Sequence, residues 1–156
     1  MNKTKTSIIG ACGEHFVAAY LSGLDFIVAL PRGGVPSCDL LVTTDLIKKS
    51  ASIQVKTGRN PLNKPKNDAP YYAWDTSEKA IRLVDESYWY AFVNLNEWPE
   101  KDTKPEIFLI PSNIVATTVK NEHEKGAKRL FFWIYCSEAE QYKGINGVNR
   151  LRKILA

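Results

Sequence analysis

The chain has 156 residues, 44% of them hydrophobic and 24% charged. It can therefore bury about two-thirds of its unfolded surface in a core of its own and needs no staple to fold. Its three cysteines, Cys12, Cys38 and Cys136, are odd in number and widely spaced, which argues against a disulfide framework and a Cys-x-x-Cys zinc site. The net charge of +4 selects no partner by itself, and the longest apolar run, residues 130–136, is too short to span a bilayer, so a cytoplasmic protein is expected.

In chain order, Ser7 is read as the N-cap of a first helix that stops at Gly23. Within it Phe16 and Tyr20, and Val17 and Leu21, stand four apart, the helical period. Glu14 precedes Val17, Ala18 and Leu21 on the same face. A carboxylate in line with a core-facing stripe is costly to bury without compensation. Either it reaches water at the edge of the stripe or it serves chemistry. Strands are expected at residues 26–30, 40–44 and 53–57, with a turn over 32–36 and a hairpin-type link over 45–50. Residues 58–70 hold three prolines and few apolar groups, and are read as a long loop.

A short helix over 77–86 would turn Ile81, Leu83 and Val84 inward. An aromatic strand over 88–95 returns through a proline-containing turn to a strand over 106–110. Ser112 is read as the cap of a helix reaching about residue 121. Residues 128–136 are strand-like, and 148–156 suit a short basic helix. The sum is one α/β domain spanning residues 1–156, an N-terminal helix followed by a mostly antiparallel meander. A doubly wound parallel sheet is not expected, because consecutive strands lack intervening helices.

Side chains alternate along a strand. Ser52, Gln54 and Lys56 therefore share one face, and Asp39 lies at the start of the neighbouring strand. Asp39 can stand beside Gln54 and Lys56, with Glu14 closing the group from the helix. Divalent ions such as Mg²⁺ take oxygen ligands. Asp39 and Glu14 supply charged oxygens, and the Gln54 side chain or the Val55 main-chain carbonyl supplies neutral ones. Lys56 would orient a nucleophile or neutralise a phosphoryl group. Lys48, Lys49, Lys56, Arg59, Lys64 and Lys66 fall within residues 48–66 without an acid among them. Thr57, Arg59, Lys64 and Lys66 would then hold backbone phosphates, which gives affinity without sequence choice. Tyr71, Tyr72 and Trp74 are expected to pack in the core rather than stack bases, His15 is expected on the helix surface or partly buried, and His123 is expected in solvent.

Gly13-Glu14, then Val35-Pro36-Ser37-Cys38-Asp39, then Ile53-Gln54-Val55-Lys56-Thr57 resembles the PD-(D/E)XK, or restriction-endonuclease-like, nuclease superfamily. The resemblance is firmest over residues 10–58. It implies a central mixed β-sheet flanked by helices, with a core of α-β-β-β-α-β type, and hydrolysis of DNA phosphodiesters with Mg²⁺, for which Mn²⁺ can substitute. Implied settings are defence, repair or mobile-element processing, as a homodimer or a partner subunit. Two positions depart from the pattern: Cys38 rather than proline precedes Asp39, and Gln54 replaces the second acid, leaving the site one negative charge short. The alternative reading is a non-catalytic nucleic-acid-binding or protein-interaction domain on the same fold.

Overall fold

A computed structural model of the chain describes residues 3–32 and 37–156, so residues 33–36 of the expected turn lie outside the described part. The first helix, α1 (Lys3–Ser22), is already formed at Lys3, and Ser7 lies within it rather than at its cap. Three strands follow, β1 (Ile27–Ala29), β2 (Leu40–Thr43) and β3 (Ser50–Gly58). The segment read as a loop contains a two-residue strand, β4 (Leu62–Asn63), and Tyr71, Tyr72 and Trp74 lie on β5 (Tyr71–Asp75).

The expected helix over 77–86 is a single turn, α2 (Lys79–Arg82). Ala80 is its buried residue, whereas Leu83 and Val84 are 37% and 50% exposed, not inward. The chain breaks there because the Asp85 carboxylate accepts bonds from the Ser87 N–H and hydroxyl, which closes a turn instead of extending the helix. The aromatic hairpin is present as β6 (Tyr88–Asn94) and β7 (Glu106–Pro111). The helix α3 (Ser112–Glu124) is capped by Pro111, and the Ser112 hydroxyl instead exchanges hydrogen bonds with the Asp85 backbone. Next come β8 (Phe131–Tyr135), the short α4 (Cys136–Ala139), a 3-10 turn at Glu140–Tyr142, and α5 (Ile145–Leu155).

The strands form two sheets. One has five strands in the order β1-β2-β3-β6-β7, antiparallel except for the parallel β3–β6 pair, and the other has three in the order β4-β5-β8. The first is the expected central mixed sheet. The second was not anticipated, since its register joins residues far apart in sequence, such as Tyr72 and Ile134.

Alternation along β3 separates the two cores. Ala51, Ile53 and Val55 point to a layer containing Val17 and Leu21 of α1 and Val148, Leu151 and Leu155 of α5. The other face of β6 and β7 presents Tyr90, Phe92, Phe108 and Ile110 to Tyr72, Trp74 and Phe132 of the small sheet and to Val115 and Val119 of α3. The Trp74 indole N–H donates to the Val93 carbonyl at 3.0 Å, so the second layer is bonded to the first as well as packed on it. The small sheet covers only part of the central one. The β1–β2 end stays open, with Ile27 and Leu41 exposed.

Candidate active site

Strand β2 pairs with β3 only as far as Leu40 and Ile53, and the Asp39 N–H adds a last bond to the Ile53 carbonyl at 3.0 Å. Beyond that point β3 has lost its ladder neighbour on this side. The Asp39 side chain takes that place: its Oδ2 accepts the Val55 N–H at 2.7 Å and the Gln54 side-chain amide at 2.5 Å. A residue of an antiparallel pair turns both its N–H and its C=O toward the same neighbour. The Val55 carbonyl therefore faces the Asp39 side as well. Among the described residues no hydrogen bond falls on Asp39 Oδ1.

Glu14 reaches this point from α1 because the helix lies almost on the strand. Gly13 is buried against Thr57, and a methyl group there would stand 1.8 Å from the Thr57 hydroxyl oxygen. Only glycine permits that approach. The Glu14 carboxyl is held above the usual carboxylate range, first by burial and then by the negative charge of Asp39, with His15 acting in the opposite sense. Among the described residues neither carboxylate has an ion-pair partner.

Gln54 and Lys56 lie on the opposite face of β3 from Ile53 and Val55. Both line a cavity of about 390 Å³, together with Ser37, Thr76, Ser77, Lys79, Tyr88 and Tyr90 among others. Tyr88 is fixed by donating its hydroxyl to the Ser37 carbonyl at 2.6 Å. Burial is the main cause that pushes the Tyr88 and Tyr90 phenols up, so both stay protonated.

Asp39, Gln54 and the Val55 N–H are joined by hydrogen bonds, Glu14 is near enough for the Asp39 charge to raise its carboxyl, and Lys56 lies on the Gln54 face of β3. The basic residues of 48–66 fall on both sides of β3 in the chain. Lys48 and Lys49 precede β3, whereas Arg59, Lys64 and Lys66 follow it. Arg59 is engaged with Glu100 at 2.7 Å. Thr57 departs from its expected role: its hydroxyl oxygen is buried under Gly13 with no hydrogen-bond partner, so it shapes the helix contact rather than facing a ligand. The residues missed are Thr76, Ser77 and Lys79, which meet Lys56 across the cavity only through the fold. His15 and His123 are exposed, as expected.

The donor set can be tested against a divalent ion. Among the described residues no three His, Cys, Asp or Glu side chains gather to hold a metal. Any ion would therefore rest on two carboxylates and neutral oxygens, which suits a hard oxygen-seeking cation and not zinc. Two facing carboxylates without a counter-charge, beside an outward main-chain carbonyl, fit such an ion.

The architecture is a mixed central sheet flanked by helices. A bacterial homing endonuclease has a similar structure, with a TM-score of 0.57 at 15% identity over 98% of this chain and 94% of that one. A Holliday junction resolvase, Hjc of the archaeal hyperthermophile Archaeoglobus fulgidus, is similar with a TM-score of 0.52 at 15% identity, covering 89% of this chain and 93% of that one. No protein-family model and no curated protein matches the sequence. Among the described residues no helix is long and apolar enough to cross a membrane.

Proposed function

We propose that the protein is a metal-dependent nuclease that hydrolyses phosphodiester bonds of DNA. The observation that carries this reading is Asp39, which joins all parts of the site. One oxygen is anchored by Gln54 and the Val55 N–H, and its charge is felt by Glu14. Both similar structures are enzymes that, by name, act on nucleic acid, which agrees with the reading.

Asp39 Oδ1, the Glu14 carboxylate and the Val55 carbonyl are the oxygens that Mg²⁺ or Mn²⁺ would take, with the Gln54 amide oxygen as a further neutral donor. When bound, the ion supplies positive charge that acidifies a water and offsets the charge on the phosphate. The remaining work belongs to the chain. Gln54 differs from a second acid in that its N–H₂ can donate to Asp39, so the carboxylate is steadied where a second carboxylate would repel it. Lys56 sits on the same face and carries three donors. It orients the attacking water and meets the phosphate charge as it builds. The protein's setting, in defence, repair or mobile-element processing, follows from this reading only at the level of DNA breakage.

The test is cleavage of linear, nicked and branched DNA with Mg²⁺ and with Mn²⁺. Product is expected from the wild type and none from Lys56→Ala prepared identically. Equal product from both overturns the assignment. Salt-dependent binding without product in either metal would instead favour a binding domain that has kept the site's shape.

A further inference from the structure

The cavity beside Gln54 has an electrostatic character opposite to that of the acidic centre. Among the described residues ten line it; Lys56 and Lys79 are among them and none is acidic. Among the described residues neither lysine has an ion-pair partner. Ser77 adds a hydroxyl at the rim, and among the described residues the buried Thr76 hydroxyl has no hydrogen-bond partner. Two uncompensated ammonium groups with hydroxyls around them form an anion site.

Gln54 stands between the two halves, bonding Asp39 on one side and lining the cavity on the other. A strand whose phosphate lies at Asp39 would run its next residue into the cavity. At about 390 Å³ the cavity lies at the small end of ligand sites, roughly 300–1,000 Å³. That suits one nucleotide unit. It does not suit a duplex, whose major groove alone is about 12 Å wide.

We propose that this cavity takes one unpaired nucleotide next to the bond that is cut, with its phosphate between Lys79 and Lys56, so that the substrate is a single-stranded or frayed DNA strand rather than continuous duplex. This rests on the nuclease reading for its orientation, but the preference for an unpaired strand can be measured without cleavage. Lys79 acts as a positioning and selectivity residue, and Tyr88, half-buried and fixed to Ser37, forms the wall beside the base.

The experiment is fluorescence anisotropy of a labelled single-stranded DNA oligomer and of the same sequence annealed as a blunt duplex, in EDTA, over a salt series. The wild type is expected to bind the single strand about tenfold more tightly than the duplex. Lys79→Ala is expected to bring the two affinities within about threefold and to reduce the salt slope for the single strand by about 0.7, one phosphate contact. Ser77→Trp, which fills the cavity without removing charge, should lose the same preference while melting at the wild-type temperature. Lys79→Arg should restore it.

Equal wild-type binding of both DNA forms overturns the proposal. So does an unchanged preference in Lys79→Ala, or a loss in only one of the two disruptive variants. Cleavage without strand preference removes this inference and leaves the nuclease reading. Strand preference without cleavage does the reverse.

Discussion

Two half-buried carboxylate settings in this molecule are built in opposite ways. Glu106, at the start of β7, is fully answered from within the chain. Lys143 lies 2.5 Å from its Oε1, while Asn94 at 2.9 Å and the Tyr72 hydroxyl at 3.4 Å reach its Oε2. The bond to Glu106 is the main reason the Lys143 ammonium is held above its usual range, a mark of a charge at rest. At the other setting, among the described residues neither Glu14 nor Asp39 has an ammonium or guanidinium paired to it, and burial first and the Asp39 charge second push the Glu14 carboxyl up. The same chemical group stabilises the fold in one place and is left uncompensated in the other. On the proposed reading, the pair without a counter-charge is the one that meets a ligand from outside.

The sharpest way to break this contrast is to remove Asp39. Asp39→Ala is expected to lower metal-dependent cleavage by on the order of 10²–10³-fold, with an unchanged circular dichroism spectrum. Activity that survives would mean that the uncompensated pair is not the reacting centre. Glu106→Ala should do the converse. It strands Lys143 and is expected to cost about 1–3 kcal/mol in urea denaturation while leaving metal affinity, read by calorimetry, unchanged. Coupled loss of both would show that the two settings are not independent.

Gly13→Ala probes the link between fold and site. The added methyl must push α1 off Thr57, which is expected to cost about 1–3 kcal/mol and to weaken metal binding. Adding Thr57→Ala removes the nearest atom and should recover part of both losses. Full metal affinity in Gly13→Ala would detach Glu14 from the site.

The smallest effect is expected from Glu14→Gln without metal. Removing one of two facing charges should leave stability within about 0.5 kcal/mol or raise it. The sign with pH follows from the raised Glu14 carboxyl. The native protein holds that proton to higher pH than the unfolded chain, so this contribution to stability is full in acid and is lost as pH rises through the native value. Metal affinity runs the other way, weak in acid and rising until Glu14 is ionised. Calorimetry in buffers of different ionisation heat should show proton release on metal binding in acid that fades as pH rises, and this release should vanish in Glu14→Gln.

Much of the acidic half could be read from the sequence, because it rests on short-range rules. Period-two alternation put Gln54 and Lys56 on one face, and helical phase put Glu14 on the core side of α1. What was illegible depended on long-range pairing. The small sheet joins Tyr72 to Ile134, and only that sheet together with α2 brings Lys79 opposite Lys56. Thr57 was misjudged because its neighbour is a glycine on another element, and a missing side chain leaves no signal along the chain. The helix over 77–86 was overdrawn because apolar spacing outweighed Asp85 and Ser87, whose local bonds end it.

Strand β3 is hydrogen-bonded to β6 over residues 52–58 and to β2 over residues 50–53, and is covered on one face by α1. Its amides belong to the part of the molecule that opens last. The partners that complete the site are differently held: α1 rests on one face of the sheet and is exposed over residues 5–8, and α2 is one turn long. Ligands arriving on either side of Gln54 are expected to slow amide exchange in α1 and α2 more than in β3.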